Sequence, residues 1–238
     1  SGRSKDITVY LASNFMKVNQ NLLDVSTQFK MFEFIASIDG VGSIQEYIRH
    51  PSEWSVIESN FKRVKERMSP ESTKILVNCT VQLNNILHFT DLLKWLEKMD
   101  ENSPHFFHHP FNLNILQFPK HLSLGILPPR GRRIAIERIQ EYKKSSHFLK
   151  KFPELGERLD QVIAMLEQSP DKDSLRQLKI FWHFTHVLDE HRKQSFENID
   201  PLLFEIVRDE LLSENIDLKE IQKREVIRKE AFVREKWR

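Results

Sequence analysis

One apolar run that ends in a glycine-marked turn, from Met31 to Gly42, constrains the fold of this chain most strongly. Six of the eight residues from Met31 to Ile38 are apolar, which is too continuous for a half-exposed strand and too short for a helix. We therefore expect a strand covered on both faces, as in a parallel sheet with helices packed around it. Ligands of such folds bind at the carboxyl ends of the strands. Ser37 and Asp39 are thus expected at the edge of a ligand site.

Strand-like and helix-like segments alternate along the first half of the chain. The predicted strands are residues 7–12, 31–37, 74–83 and 111–118, and the predicted helices between them are 21–29, 43–49, 53–68 and 90–99. Ser52, after Pro51, is the predicted N-cap of the third of these helices. The alternation implies right-handed crossovers and a parallel sheet, and it favours part of a β/α barrel.

The pattern changes at Pro128-Pro129-Arg130-Gly131, and the residues beyond it are predicted to be helical. The predicted segments are 132–144, 153–168, 173–193 and 201–212, followed by a charged tail from 217 to 238. Glu-before-base pairs four residues apart favour an exposed helix for that tail. The predicted fold class is therefore α/β: an incomplete parallel β/α (TIM-like) barrel in residues 1–127, followed by a helical C-terminal region in residues 128–238.

Composition excludes several classes of protein. The net charge is +2, with 36 basic residues interspersed among 34 acidic ones, which argues against a nucleic-acid partner. No apolar run approaches the roughly 18 residues that span a membrane. There is no signal-peptide pattern, so a cytoplasmic location is expected.

Cys79 is the only cysteine. One thiol excludes an intrachain disulfide and any iron–sulfur or zinc site with three or four cysteines built by this chain alone. Cys79 lies in the apolar run from Ile75 to Val81, which predicts a buried structural thiol rather than a nucleophile.

Two groups of histidines, 105–109 and 183–191, are candidate metal ligands. Metal binding needs neutral imidazoles that converge with at least one further ligand. No such ligand is placed by the sequence, and apolar residues surround the second group. Structural histidines are therefore predicted and no metal site is assigned; a metal-dependent hydrolase is the weakest hypothesis kept open.

Several short motifs occur in one order along the chain. Ser37-Ile38-Asp39-Gly40 is followed by Glu46-Tyr47-Ile48-Arg49 and by a helix containing Trp54 and Asn60. The other motifs are Ser13-Asn14-Phe15-Met16, Val81 to Leu87, Asn112 to Pro119, Phe184-Thr185, Leu188-Asp189 and Arg192 to Phe196. Over about residues 7 to 205 this order resembles the radical S-adenosylmethionine (SAM) superfamily, and more narrowly its twitch-domain members. In that group Thr-Asn-Gly-Thr usually stands where this chain has Ser13 to Met16.

The resemblance implies a partial β/α barrel whose first strand leads into a Cys-x-x-x-Cys-x-x-Cys loop. That loop holds a [4Fe–4S] cluster that binds SAM, and reductive cleavage of SAM starts radical hydrogen abstraction; the protein positions the cofactors. Carried over to this chain, Ser37 would hydrogen-bond the SAM carboxylate, and Arg49 would bind the same end with charge assistance. Leu116 would contact the adenine through its backbone.

The chain departs from this family because it lacks the cysteine loop and the Gly-Gly-Glu-Pro-like strand that follows the loop. It is expected to be the C-terminal portion of a radical SAM enzyme, starting near the family's third strand and not competent alone. The alternative is a non-catalytic half-barrel binding or assembly module derived from that family, with a partner chain that covers the incomplete sheet edge. No motif fixes the substrate, and both a peptide and a small molecule remain open.

Overall fold

The computed structural model describes residues 2–67, 71–101, 107 and 111–221. Its strands are β1 Thr8–Ser13, β2 Met31–Ser37, β3 Thr73–Val81 and β4 Phe111–Ile115. Its helices are α1 Gln20–Ser26, α2 Ser43–Ile48, α3 Trp54–Arg67, α4 Phe89–Glu101, α5 Pro129–Ser145, α6 Phe148–Lys151, α7 Pro153–Glu167, α8 Ser174–Arg192, α9 Phe196–Ile199, α10 Pro201–Ser213 and α11 Leu218–Ile221. The α/β class is confirmed, and the four strands lie within a few residues of their predicted positions. Most of the predicted charged tail lies outside the described residues.

The four strands form one parallel sheet in the order β1-β2-β3-β4. In the middle of the sheet, Phe34 of β2 is paired with Leu11 of β1 and with Ile75 of β3. The order of the strands follows the chain, so right-handed crossovers place the connecting helices on the same side of the sheet. One side of the sheet is therefore left without helices from these crossovers.

The expectation that β2 is covered on both faces is wrong. Phe32, Phe34 and Ala36 are buried, whereas the alternate residues of β2, including Ser37, are only half-buried. β3 alternates in the same way. The run looked continuous because Met31 and Ile35 are apolar although they lie on the less covered side. We call that side, which carries Ser37, the open face of the sheet.

The covered face of the sheet packs into an aromatic core. The Phe15 ring lies 6.1 Å from that of Phe34 and 5.7 Å from that of Phe61, which belongs to α3. Phe61 in turn makes an edge contact with Trp95 of α4 at 4.8 Å. Ile57, Phe61 and Val64 recur on one side of α3, as expected for a helix with one buried stripe.

The predicted capping of α3 by Ser52 is wrong. The Ser52 hydroxyl donates to the carbonyl oxygen of Gln45 at 3.3 Å, and the helix begins only at Trp54. The Trp54 N–H instead donates to the Glu46 carboxylate at 2.8 Å. A carboxylate from the preceding helix therefore satisfies a backbone donor that a local serine was expected to satisfy.

The chain divides into two compact units. The first contains Ser1–Val81, His88–Asn114 and Ile139–Gln161, and the second contains Gln82–Leu87, Ile115–Arg138 and Val162–Arg238. Most of the sheet lies in the first unit. The proposed division of the chain into domains at residues 127 and 128 stays a prediction.

The second unit is organised around a buried arginine. The Arg132 guanidinium donates to six carbonyl oxygens, which belong to Leu124, Gly125, Leu127, Met165, Leu166 and Gln168. Three of these carbonyls lie at the end of α7, where a helix leaves acceptors without helical partners. Arg132 thus ties the end of α7 to the turns that precede α5. No helix in the described part of the chain is long and apolar enough to cross a membrane.

Candidate functional site

The site predicted from the sequence begins at the carboxyl end of β2. Ser37 is the last residue of β2 and lies half-buried on the open face. The next residues turn inward, since Ile38 is fully buried and Asp39 is only 3% exposed. The two polar side chains therefore occupy different environments, with the hydroxyl at the surface of the sheet and the carboxylate inside.

Gln45 of α2 holds the backbone of this turn. Its Oε1 accepts the N–H of Asp39 at 2.7 Å and that of Gly40 at 3.2 Å. Gln45 is completely buried, and its Nε2 has no hydrogen-bond partner among the described residues. Gly42 adopts φ of +57°, a conformation that favours glycine. The turn itself therefore explains Gly42, whereas a Cβ at Gly40 would lie 2.8 Å from Cγ2 of Ile44.

Asp39 connects the ends of two strands with Arg49. Its Oδ2 accepts from Arg49 Nε at 2.6 Å, and its Oδ1 accepts from the backbone N–H of Thr80 in β3 at 2.8 Å. The Asp39 side chain is 4% exposed and that of Arg49 is 29% exposed. One edge of the guanidinium is thus fixed by a buried carboxylate, while the group as a whole stays partly accessible.

Arg49 lies at the turn that follows Ser37, because it binds Asp39, two positions further along the chain. An ion pair such as that of Arg49 with Asp39 is common for a surface arginine and does not require a ligand. Because that pair uses Nε, it leaves the two terminal amino groups of Arg49 to donate to an anionic ligand.

Leu116, the third residue expected to contact SAM, belongs to a different compact unit from Ser37 and Arg49. It follows directly after β4, is half-buried, and belongs to the second unit, whereas Ser37 and Arg49 belong to the first. Its contact with an adenine therefore stays a prediction.

A row of amide side chains on the open face was missed as a unit by sequence reasoning. Asn78 Oδ1 accepts from Asn112 Nδ2 at 3.0 Å and from Asn114 Nδ2 at 2.9 Å. Asn78 is also the residue of β3 paired with Ser37. The available signal was three asparagines at outward positions of strands, because asparagine is depleted in strands. We call Ser37, Asn78, Asn112 and Asn114 the polar row.

Cys79 is a structural thiol, as predicted. It is completely buried in β3. Burial, and secondarily the nearby Asp39 carboxylate, raises the pKa of the Cys79 thiol well above its usual range. Both effects disfavour the thiolate that would bind a metal or attack an electrophile.

The histidines of α8 have other contacts. His183 Nδ1 lies 3.0 Å from the carbonyl oxygen of Ile221, and the ring of His186 stacks on Trp182 at 5.8 Å. His105, His108 and His109 lie outside the described residues. Within the described ranges, no group of three or more His, Cys, Asp or Glu side chains could hold a metal ion.

A separate groove lies along α3 and α4. Lys62, Lys65 and Lys98 line it together with Glu58 and Trp95. Trp95 Nε1 donates to the Glu58 carboxylate at 3.1 Å, and Lys62 pairs with the same carboxylate at 3.2 Å. None of Ser37, Arg49 and Leu116 lines this groove, and its lysines and acids largely offset one another.

Comparison with known proteins adds no family to these observations. No protein-family model matches the chain, and no curated protein or solved structure gives a significant match. The resemblance to radical SAM enzymes therefore rests on the motifs of the chain and on what its residues can do at the end of β2.

Proposed function

We propose that this chain is the SAM-binding C-terminal portion of a radical SAM enzyme, active on a substrate that its motifs do not name. The observation that carries the proposal is the bond from Arg49 to Asp39, which holds a partly accessible arginine at the turn after Ser37. A hydroxyl and a guanidinium at one turn are suited to a carboxylate ligand.

Each residue of the turn has a separate part in this proposal. The Ser37 hydroxyl donates to the carboxylate of SAM, and the terminal nitrogens of Arg49 supply charge-assisted bonds to the same end. Asp39 and Gln45 hold the turn through their bonds to Arg49, to Thr80 and to the backbone of the turn. Bound SAM supplies, in this family, the group that abstracts hydrogen from the substrate.

A buried unpaired donor supports a ligand at this turn. Gln45 Nε2 is enclosed and has no acceptor among the described residues, and such groups usually have a partner in folded proteins. An acceptor atom of a bound ligand or a water molecule at the turn would satisfy it.

The residues present do not fit a [4Fe–4S] cluster. Such a cluster needs three accessible thiolates in this family, whereas the 238 residues contain one cysteine, and that cysteine is buried with a raised pKa. The cluster ligands would have to come from residues outside this sequence or from another chain. We therefore assign no reaction step to these 238 residues by themselves.

Ligand binding tests the proposal without a cluster. The chain is titrated by calorimetry with S-adenosylhomocysteine, which has the amino-acid end of SAM, and with methylthioadenosine, which lacks it. Arg49→Ala and Ser37→Ala are expected to weaken S-adenosylhomocysteine at least about fivefold, from the loss of about 1 kcal/mol or more per bond. Methylthioadenosine is expected to bind equally to all variants.

A matched control is Arg130→Ala. Arg130 is an arginine with a carboxylate partner, Glu205, at 2.7 Å in the second unit. This variant should bind S-adenosylhomocysteine like the parent chain. Unchanged affinity in Arg49→Ala, or no binding of S-adenosylhomocysteine at millimolar concentration, would contradict the proposal.

One observation favours the alternative of a non-catalytic assembly module. β1 lies at an edge of the sheet. Tyr10 within it is 66% exposed, and Ile7, just before the strand, is 46% exposed. An exposed edge with apolar side chains can pair with a strand of another chain. Sedimentation equilibrium of the parent chain and of Tyr10→Lys tests this alternative. The parent chain would self-associate or bind a partner, and the variant would not.

A further inference from the structure

The polar row crosses three neighbouring strands on the open face. Ser37 of β2 is paired with Asn78 of β3, so the two side chains lie on one side of the sheet, and neighbouring parallel strands are about 4.8 Å apart. Asn78 then contacts Asn112 and Asn114 of β4. The row is therefore continuous from the hydroxyl assigned to SAM to the far edge of the sheet.

The bonds inside the row determine what it can offer a ligand. Asn78 Oδ1 accepts two amide bonds, one from each neighbour, and a carbonyl oxygen has two lone pairs to give. The Asn78 NH2 group and the carbonyl oxygens of Asn112 and Asn114 have no partner within the described part of the chain. The row thus has both donors and acceptors left for a ligand, and both asparagines of β4 are exposed.

The positions of these asparagines run against the usual composition of strands. Parallel strands are rich in Val and Ile, and asparagine is among the residues depleted from strands. Exposed asparagines at the edge of a sheet can form their hydrogen bonds with water, and they do not need to share one protein acceptor. Here two amides from β4 converge on a single amide of β3, which fixes the orientation of all three.

The row contains no titratable side chain. On the same face, the nearest charged residues in β2 and β3 are Glu33 and Lys74, each four positions before its row residue. Four residues of a strand span about 13 Å. Recognition by the three asparagines is therefore by hydrogen bonds from neutral amide groups, with no charged side chain of β2 or β3 beside them.

We propose that the polar row binds an uncharged ligand group with an amide edge, in which an N–H donor and a carbonyl acceptor lie side by side. Primary carboxamides and the lactam edges of heterocycles share this pattern, which complements the NH2 group of Asn78 and the carbonyl oxygens of Asn112 and Asn114. The polar row then binds a group of the substrate, beside the position assigned to the SAM carboxylate. Only this identification of the ligand as the substrate rests on the proposed function; the binding of an amide edge does not.

Nuclear magnetic resonance of the ¹⁵N-labelled chain tests the inference, with the side-chain amide signals of Asn78, Asn112 and Asn114 as the readout. Nicotinamide is the carboxamide probe and uridine is the lactam probe. Nicotinate is the charged counterpart of the first, and 3-methyluridine lacks the N–H of the second. Saturable shifts of the row signals are expected with nicotinamide or uridine. The two counterparts are expected to bind more weakly, because each lacks the N–H donor for the carbonyl oxygens of Asn112 and Asn114.

Variants separate the row from the rest of the fold. Asn114→Thr keeps a residue suited to an exposed strand and removes one carboxamide, and Asn78→Ala removes the shared acceptor. Each is expected to weaken the bound probe at least about fivefold, which corresponds to one hydrogen bond of about 1 kcal/mol. Asn21→Ala, at an exposed position of α1, is the control and should bind the probe normally.

The outcomes distinguish this inference from the proposed function. A response to nicotinamide alone identifies a carboxamide ligand, and a response to uridine alone identifies a heterocycle. Equal shifts with nicotinate and 3-methyluridine, no shifts with any probe, or unchanged affinity in Asn114→Thr would overturn the inference. S-adenosylhomocysteine binding that depends on Arg49 would survive that result, and its loss with an intact row would overturn only the proposed function.

Discussion

Arg49 Nε donates to Asp39 Oδ2 at 2.6 Å, across ten positions of the chain. Asp39 is buried, and its other oxygen accepts a backbone N–H from β3. The carboxylate is therefore fully engaged with protein donors and is not arranged as a proton-transfer group. Its role is to hold the arginine and to join the carboxyl ends of two neighbouring strands.

Asp39→Ala is expected to lower the free energy of unfolding by about 2–3 kcal/mol. The substitution removes two bonds to an ionised acceptor, one of them from the part-buried N–H of Thr80. The loss of stability should not reach the largest values known for broken buried ion pairs, because Arg49 is partly exposed and solvent screens its charge. Urea unfolding of both chains gives the difference.

The control for this experiment is Asp39→Asn, which retains an acceptor for Thr80. Its loss of stability should be clearly smaller than that of Asp39→Ala. Equal stability of the alanine variant and the parent chain would show that the Asp39 bonds do not stabilise the turn.

Phe15 is fully buried although its backbone has φ of +58°, a region that costs about 1 kcal/mol or more for residues with a side chain. Phe15→Ala should destabilise the chain by about 3–5 kcal/mol through loss of the ring. Phe15→Gly loses the same ring but relieves the backbone. We therefore expect Phe15→Gly to be more stable than Phe15→Ala by about 1 kcal/mol in urea unfolding.

The usual order of glycine and alanine serves as the control for Phe15. At Val77, which lies in extended backbone of β3, the glycine variant should be less stable than the alanine variant. The same order at Phe15 would mean that its backbone is not strained.

The positions of the strands could be predicted because hydrophobic periodicity is a local property. The glycine-marked turn after Ser37 was visible for the same reason. The open face was not, since Met31 and Ile35 are apolar and yet only half-buried. Whether a face is covered depends on where helices pack, and the sequence of a single strand does not determine that.

The site was predicted in part. Ser37 and Arg49 were identified from motifs, whereas the bond between Asp39 and Arg49 joins residues ten positions apart through a turn that sequence spacing does not describe. The polar row joins β3 and β4 across more than thirty positions. Pairing of strands that are distant along the chain decides which polar residues become neighbours, and one sequence alone does not supply it.

Stability should fall as the pH is lowered through the range of histidine. Burial lowers the pKa of His121, whose ring lies 4.9 Å from that of Phe184. Between this lowered pKa and the unfolded value of about 6.5, the unfolded chain binds more protons, so the free energy of unfolding decreases as the pH falls. His121→Gln should therefore show a smaller loss of urea midpoint from pH 7.5 to pH 5.5 than the parent chain.

Some pH dependence should remain in His121→Gln, because burial also lowers the pKa of His183. His147→Gln replaces an exposed histidine and is the matched substitution with which the slope of His121→Gln is compared. An unchanged slope in His121→Gln would contradict the assignment of this effect to His121.

Arg132→Lys should destabilise the second unit strongly although it preserves the charge. A lysine has one donor centre, whereas the Arg132 guanidinium spans six carbonyl oxygens from two directions. Several buried acceptors are then left without donors, and a loss of about 3–5 kcal/mol is expected, since each costs about 1–3 kcal/mol and part is recovered by relaxation. Burial also lowers the pKa of Arg132, so a lysine at this position would be still less favoured as a cation. Arg133→Lys, at the exposed neighbouring position, should change the free energy of unfolding by less than about 0.5 kcal/mol; similar urea midpoints for the two variants would show that the carbonyl contacts of Arg132 do not stabilise the fold.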